Sequence, residues 1–248
     1  MHWKQEAERF EKEFFNPYTH DWGRMIRRQI DQLASRRKAA ADFGCGAGRL
    51  LPYLAKRFRE VYGLDRSPRY LKTAGKRCAG EKNVHLLRMD LGKPAPGLPR
   101  VEVGVSVNAA IEPGHAERHA FLRNISDALL PGGFLALVVP SVESVLYTAF
   151  RHIQWNLQEG LSHRAALADA NAADALSPAS IRDGVIKNAD ARQKHYLREE
   201  LLVTLRDLGL EVKELEKVQY PWDTEFIHPP GWMKEPYPWD WFVLAQKV

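Results

Sequence analysis

The sequence predicts an α/β fold: a doubly wound, seven-stranded, mostly parallel sheet whose last strand is antiparallel, with a helical N-terminal segment and a helical cap insertion. Three observations predict it. Short apolar runs alternate with amphipathic stretches of about 10–15 residues, the pattern of βαβ units on a parallel sheet. The run Phe134–Val139 shows no polar alternation, as expected of a strand covered on both faces. A glycine-rich turn follows the first apolar run directly, where a strand should hand over to a helix.

Each element can be read in order. Residues 1–35 read as helical, with Ala7, Phe10, Phe14 and Phe15 at helical spacing until Pro17 interrupts them. Trp22, Met25, Ile26, Ile30 and Leu33 then share one side of a second helix. Ala39–Phe43 is the first expected strand, followed by the glycine turn and a helix over Leu50–Phe58. Glu60–Asp65 is the second strand, and Pro68–Cys78 a helix that Ser67 should cap. Val84–Met89 and Val101–Asn108 are the third and fourth strands, then a helix over Ala116–Leu130 and a fifth strand over Phe134–Val139. The glycine–strand rhythm stops there, and residues 141–195 look helical but irregular. It returns with a helix over Leu197–Leu208 ending at Gly209 and strands over Leu210–Tyr220 and Trp241–Gln246, joined by a proline-rich stretch. The expected division is a lid segment over 1–35, a core over 36–140 and 197–248, and a cap over 141–196.

Composition excludes several classes. A chain of 248 residues with 45% hydrophobic content can bury a core without covalent staples. Net charge is +5, from 36 basic and 31 acidic residues, and the basic residues are interleaved with carboxylates. The most basic stretch, Arg24–Lys38, reads as the solvated face of a helix, so no nucleic-acid partner is expected. Cys45 and Cys78 form no C-x-x-C pair, and no His, Asp and Glu cluster has metal spacing, so no metal is expected. No apolar run approaches the ~18 residues of a membrane span, and the polar start is unlike a signal peptide. The expected compartment is the cytoplasm; oligomeric state is left open.

The chemistry sits in Asp42-Phe43-Gly44-Cys45-Gly46-Ala47-Gly48-Arg49. Glycines here allow a tight turn with positive φ and let a ligand lie against the backbone. At the carboxyl end of a parallel sheet this is where ligands bind. A dinucleotide fingerprint wants glycine at the place of Arg49 and an apolar residue at that of Asp42. A carboxylate beside a pyrophosphate is repulsive by roughly 1 kcal/mol even when screened. The same carboxylate suits a ligand that carries an ammonium group.

Asp42-x-Gly44-x-Gly46-x-Gly48 resembles motif I of the class I S-adenosylmethionine-dependent methyltransferases, Gly63-Leu64-Asp65-x-Ser67 resembles their second signature, and Leu130-Pro131-Gly132-Gly133-Phe134 resembles the turn before strand five. The resemblance covers about residues 36–140 and resumes from Leu197. It implies S-adenosyl-L-methionine as cofactor, with S-adenosyl-L-homocysteine as product. It implies that Gly44, Cys45, Gly46 and Gly48 pass under the methionine part and that Asp42 receives the amino group. Asp65 would accept the ribose hydroxyls, with Arg66 beside it. Asp90 would reach the adenine amino group, Met89 and Leu91 would sandwich the ring, and Asn108 would lie near the methyl group.

Methyl transfer needs alignment and exclusion of water; a base is needed only where the acceptor must lose a proton. The candidates for a catalytic contact are His195, Tyr18 and His115, with Glu112 also near the expected mouth. Asn108-Ala109-Ala110-Ile111 lacks the Pro-Pro-aromatic run of nucleobase amino methyltransferases, no cysteine stands there for cytosine chemistry, and Glu112 is not paired as in arginine methyltransferases. The expected acceptor is therefore a small molecule under the cap. A methyltransferase acting on protein or RNA, and a non-catalytic S-adenosylmethionine-binding protein, remain the alternatives. Asp65→Ala should weaken S-adenosylmethionine binding at least about tenfold, since hydrogen bonds to charged groups contribute about 1.5–3 kcal/mol; calorimetry showing unchanged affinity would refute the assignment.

Overall fold

The computed structural model describes residues 24–174, 176–188 and 191–248. One seven-stranded sheet organises them, built from β1 (Ala39–Phe43), β2 (Glu60–Asp65), β3 (Val84–Arg88), β4 (Val101–Val107), β5 (Leu129–Pro140), β8 (Leu210–Gln219) and β9 (Trp239–Lys247). Its order is β3-β2-β1-β4-β5-β9-β8, with β9 alone running antiparallel to its neighbours. Because β1 lies between β2 and β4, the turn after β1 opens at the point where the connections reverse direction.

Helices cover both faces. α1 (Met25–Leu33) buries Ile26, Ile30 and Leu33 at helical spacing, beside α2 (Leu51–Ala55) and α3 (Pro68–Arg77). Against them stand Ala40, Val61, Val103, Val105, Ala136, Val138, Phe242 and Leu244. The opposite face meets α4 (His115–Ala128) and α8 (Arg198–Asp207) through Phe121, Leu122, Ile125, Leu201 and Leu205. Leu135, Leu137 and Val139 of β5 point to this second face, so β5 feeds both cores and reads as one apolar run. Ser67 caps α3 as expected, accepting from the Tyr70 N–H at 3.3 Å.

Three boundaries differ from the sequence reading. α4 stops at Ala128 because Leu129 is already extended and pairs with Val101, so β5 begins before the Pro131-Gly132-Gly133 turn. β4 stops at Val107 because Asn108 takes a left-handed φ of 49°. The helix after the glycine turn is short, Leu51–Ala55.

The segment between β5 and α8, expected to be helical but irregular, is only partly helical. It contains α5 (Val142–Gln158), α6 (His163–Asp174) and α7 (Pro178–Asp183), and then a hairpin of β6 (Val185–Asn188) and β7 (Ala191–Lys194). The strands are four residues each and mostly polar, so local propensity did not announce them. Tertiary anchors hold β7 instead. The Lys194 N–H donates to the Ile111 carbonyl at 2.9 Å, and the Tyr196 N–H to the Pro140 carbonyl at 2.8 Å. The buried Lys194 ammonium is satisfied by Glu200 and by the Asp183 carbonyl, each at 2.8 Å. The Tyr196 hydroxyl donates to the Ala110 carbonyl at 2.6 Å in the interior.

Tyr196→Phe leaves that buried carbonyl unsatisfied. The expected cost is about 1–3 kcal/mol, read as a lower urea midpoint with unchanged slope.

Candidate active site

The glycine turn is fixed by its neighbour strand. The N–H groups of Gly44 and Cys45 both donate to the Leu64 carbonyl, at 2.8 and 2.9 Å. Asp65, ending β2, accepts from Gly46 N–H at 2.9 Å through one carboxylate oxygen and from Ser67 N–H at 2.7 Å through the other. Each oxygen keeps a further lone pair, so the carboxylate still has acceptor capacity toward the cavity that it lines.

That cavity has a volume of about 390 Å³ and opens at the carboxyl ends of β1, β2 and β4. Asp42, Gly44, Cys45, Gly46, Asp65, Arg66, Met89, Asp90, Leu91 and Asn108 all line it. Ten of the eleven cofactor-contact candidates thus line one cavity. Gly48 is the exception and a correction. It faces α3, where an added Cβ would meet the Ala74 Cβ at 2.7 Å, so its glycine serves helix packing. A Cβ at Gly46 would meet nothing within 4 Å: this is the open cradle that a ligand against the backbone requires.

Electrostatics follow from burial. Asp42 is 3% exposed, and burial, reinforced by Asp65, pushes its carboxyl up to about 7. A cationic ligand group beside it restores the charged form. Asp90 also accepts from Gly92 N–H at 3.2 Å and pairs with Lys93 at 3.4 Å, so it stiffens its own turn. Asn108 donates its amide to the buried Asp240, 3.0 Å away on β9. Asp240, raised to about 6 by burial, went unnoticed in the sequence because nothing near it signals a partner 132 residues away.

The three catalytic candidates fare differently. His195 does not line the cavity; burial holds its imidazole down to about 4 and keeps it neutral. Its backbone instead closes the insertion, donating to the Gly184 carbonyl at 2.7 Å. His115 is exposed at the start of α4, stacked on His119 and off the cavity. Tyr18 lies outside the described residues. Sequence reasoning missed Ile111, Phe121 and Gln193 as lining residues. Phe121 was legible only as a core position of α4, and Gln193 carries no signal without the hairpin.

A cavity of this size, an open glycine cradle, an apolar stretch of Met89, Leu91, Ile111 and Phe121, and carboxylates at 42, 65 and 90 together fit an adenosyl ligand with an amino-acid tail. The fold is that of the Rossmann-like class I S-adenosylmethionine-dependent methyltransferases. Residues 40–133 match the family model described as a methyltransferase domain, and the domain built on them belongs to that family, with S-adenosylmethionine as its cofactor.

A probable cobalt-precorrin-6B C(15)-methyltransferase (decarboxylating) from Methanothermobacter thermautotrophicus is 31% identical over 108 residues, 42% of this chain and 54% of the relative. The match thus spans about half the length of that curated relative. Among solved structures, an S-adenosylmethionine-dependent methyltransferase from Methanosarcina mazei superposes with TM-score 0.62 at 15% identity, over 89% of this chain and 97% of its own. The 1,6-didemethyltoxoflavin-N1-methyltransferase of Burkholderia thailandensis, bound to 1,6-didemethyltoxoflavin and S-adenosylhomocysteine, gives 0.61 at 14% identity, over 93% and 80%. These likenesses establish the fold. Among the described residues no group of three His, Cys, Asp or Glu side chains is placed to hold a metal, and no helix is long and apolar enough to cross a membrane.

The raised Asp42 carboxyl gives a pH test. Its charged form, which attracts an ammonium, is populated above about 7 and lost as pH falls through that value. S-adenosylhomocysteine affinity should decline below about pH 7, approaching tenfold per unit, and Asp42→Asn should flatten the profile in calorimetry.

Proposed function

We propose that this chain transfers a methyl group from S-adenosylmethionine to a small-molecule acceptor, with residues 141–196 as the cap that selects it. The observation that carries this reading is Gln193. The insertion's hairpin sets this residue on the same cavity as Asp42, Asp65 and Asp90, although it follows Asp90 by more than a hundred residues of chain. The insertion thus forms part of the wall of the donor cavity itself.

When bound, S-adenosylmethionine supplies a methyl on a sulfonium, which passes to the acceptor's nucleophile and leaves S-adenosylhomocysteine. The chain's own residues bind, orient and exclude water. Asp65 and Asp90 hold the adenosyl side, and Asp42 takes the ammonium. Ile111 and Gln193 line the same cavity. Among the described residues no histidine lines the cavity. The mixed charge of the surface supports a small acceptor over a nucleic acid, and the curated relative and the toxoflavin enzyme bear names of small-molecule methyltransferases.

The test is transfer of labelled methyl from S-adenosylmethionine to panels of small molecules, proteins and RNA. Label in the low-mass fraction is the expected outcome. Transfer only to macromolecules would reverse the acceptor class, and tight cofactor binding without turnover on any panel would make the chain a binding protein. With an acceptor in hand, Gln193→Leu should lower its kcat/KM by about two- to tenfold, the worth of one neutral hydrogen bond, and leave S-adenosylhomocysteine affinity unchanged.

A further inference from the structure

Arg66 and Glu112 line the cavity and form an ion pair of 2.7 Å, with side chains 65% and 30% exposed. Their places in the fold give the pair its meaning. Arg66 directly follows β2, and Glu112 lies five residues beyond β4. In the sheet β2 and β4 are separated by β1, two strand spacings or about 10 Å in all. The pair therefore joins the segments that follow β2 and β4, the two strands flanking β1 and its glycine turn, and both side chains are partly exposed.

Both arms are anchored at their bases. Arg66 sits between Asp65, whose carboxylate grips the backbone of Gly46 and Ser67, and the capped start of α3. The carbonyls of Glu112 and Pro113 accept from the buried Arg118 guanidinium, at 2.9 and 2.5 Å. Between these fixed bases the two side chains meet in a partly exposed ion pair at the cavity.

We propose that the Arg66–Glu112 pair is a strap over the cofactor cavity that must part for the adenosyl ligand to enter and for its product to leave. The inference goes beyond the acceptor reading and is independent of it, since the strap concerns the donor side alone. An exposed pair contributes little stability, so the strap is open for a sizeable fraction of the time. It sets rates of exchange and leaves the equilibrium with ligand nearly untouched, because the same contact closes over the empty and the filled cavity.

The experiment is stopped-flow binding of S-adenosylhomocysteine to the full chain. Glu112→Gln and Arg66→Gln should each speed association and dissociation together by about two- to fivefold, with Kd in Glu112→Gln changed less than twofold. The double variant should be no faster than either single one. The charge-swapped chain, Arg66→Glu with Glu112→Arg, should return toward wild-type rates. Raising the salt concentration should speed exchange in wild type and not in the double variant. Unchanged rates in the single variants would overturn the strap. So would faster dissociation with a matching loss of affinity, which would make these side chains ligand contacts instead.

Discussion

The carboxylate of Asp65 is the contact on which the site is organised. Its two oxygens hold the backbone N–H groups of Gly46 and Ser67, so one side chain fixes the glycine turn to β2 and sets the start of α3. The turn then has one course open to it. Gly44 and Cys45 share the Leu64 carbonyl, Gly46 bends with its Cα toward open space, and Gly48 meets Ala74 of α3. The wall that receives the ligand is thus made of backbone held by hydrogen bonds, which is why side-chain bulk at these positions matters more than side-chain chemistry.

The insertion after β5 obeys a different constraint. It has few apolar residues buried in its own interior, and Leu146, Phe150, Leu157 and Leu167 stand exposed on it. What orders it is its return to the core: the Ser141–Tyr196 bridge, the Lys194 bond to Ile111 and the Tyr196 hydroxyl on Ala110. Two of these anchors fall on the loop after β4, the same loop that carries Glu112. The segment bearing Gln193 and the loop bearing Glu112 are therefore tied to each other by these hydrogen bonds.

How much was legible in the sequence follows from where the information lies. The centre of the sheet was legible because its strands are covered on both faces, so Phe134–Val139 reads as an unbroken apolar run. The glycine turn and its three carboxylates were legible because each stands at a strand end, within a few residues of a pattern change. Gly48 was placed on the ligand because spacing alone cannot separate a glycine that faces a ligand from one that faces a helix. His195 was assigned to the mouth because it precedes a core helix; what spacing cannot carry is the burial that keeps it neutral and off the cavity. Asp240 and Gln193 were invisible for a common reason. Each reaches the site through strand pairings or anchors that join residues far apart in the chain.

The cost of this arrangement falls on Asp42. Raising a buried carboxyl from 3.8 to about 7 corresponds to about 4 kcal/mol of lost stability when the group is ionised, at about 1.4 kcal/mol per pKa unit. The sign is that of an acid whose folded pKa is raised. The loss is absent below the unfolded value, grows as pH rises, and is complete above about 7. Asp65 contributes to it by repulsion, so the residue that shapes the turn also strains its neighbour. A core strand end would be more stable with an apolar residue at this position. A cation beside the carboxylate would favour its charged form. Such a cation offsets the burial of Asp42 and the repulsion from Asp65 in one contact. An ammonium-bearing ligand at this position would link binding to folding through one buried carboxyl.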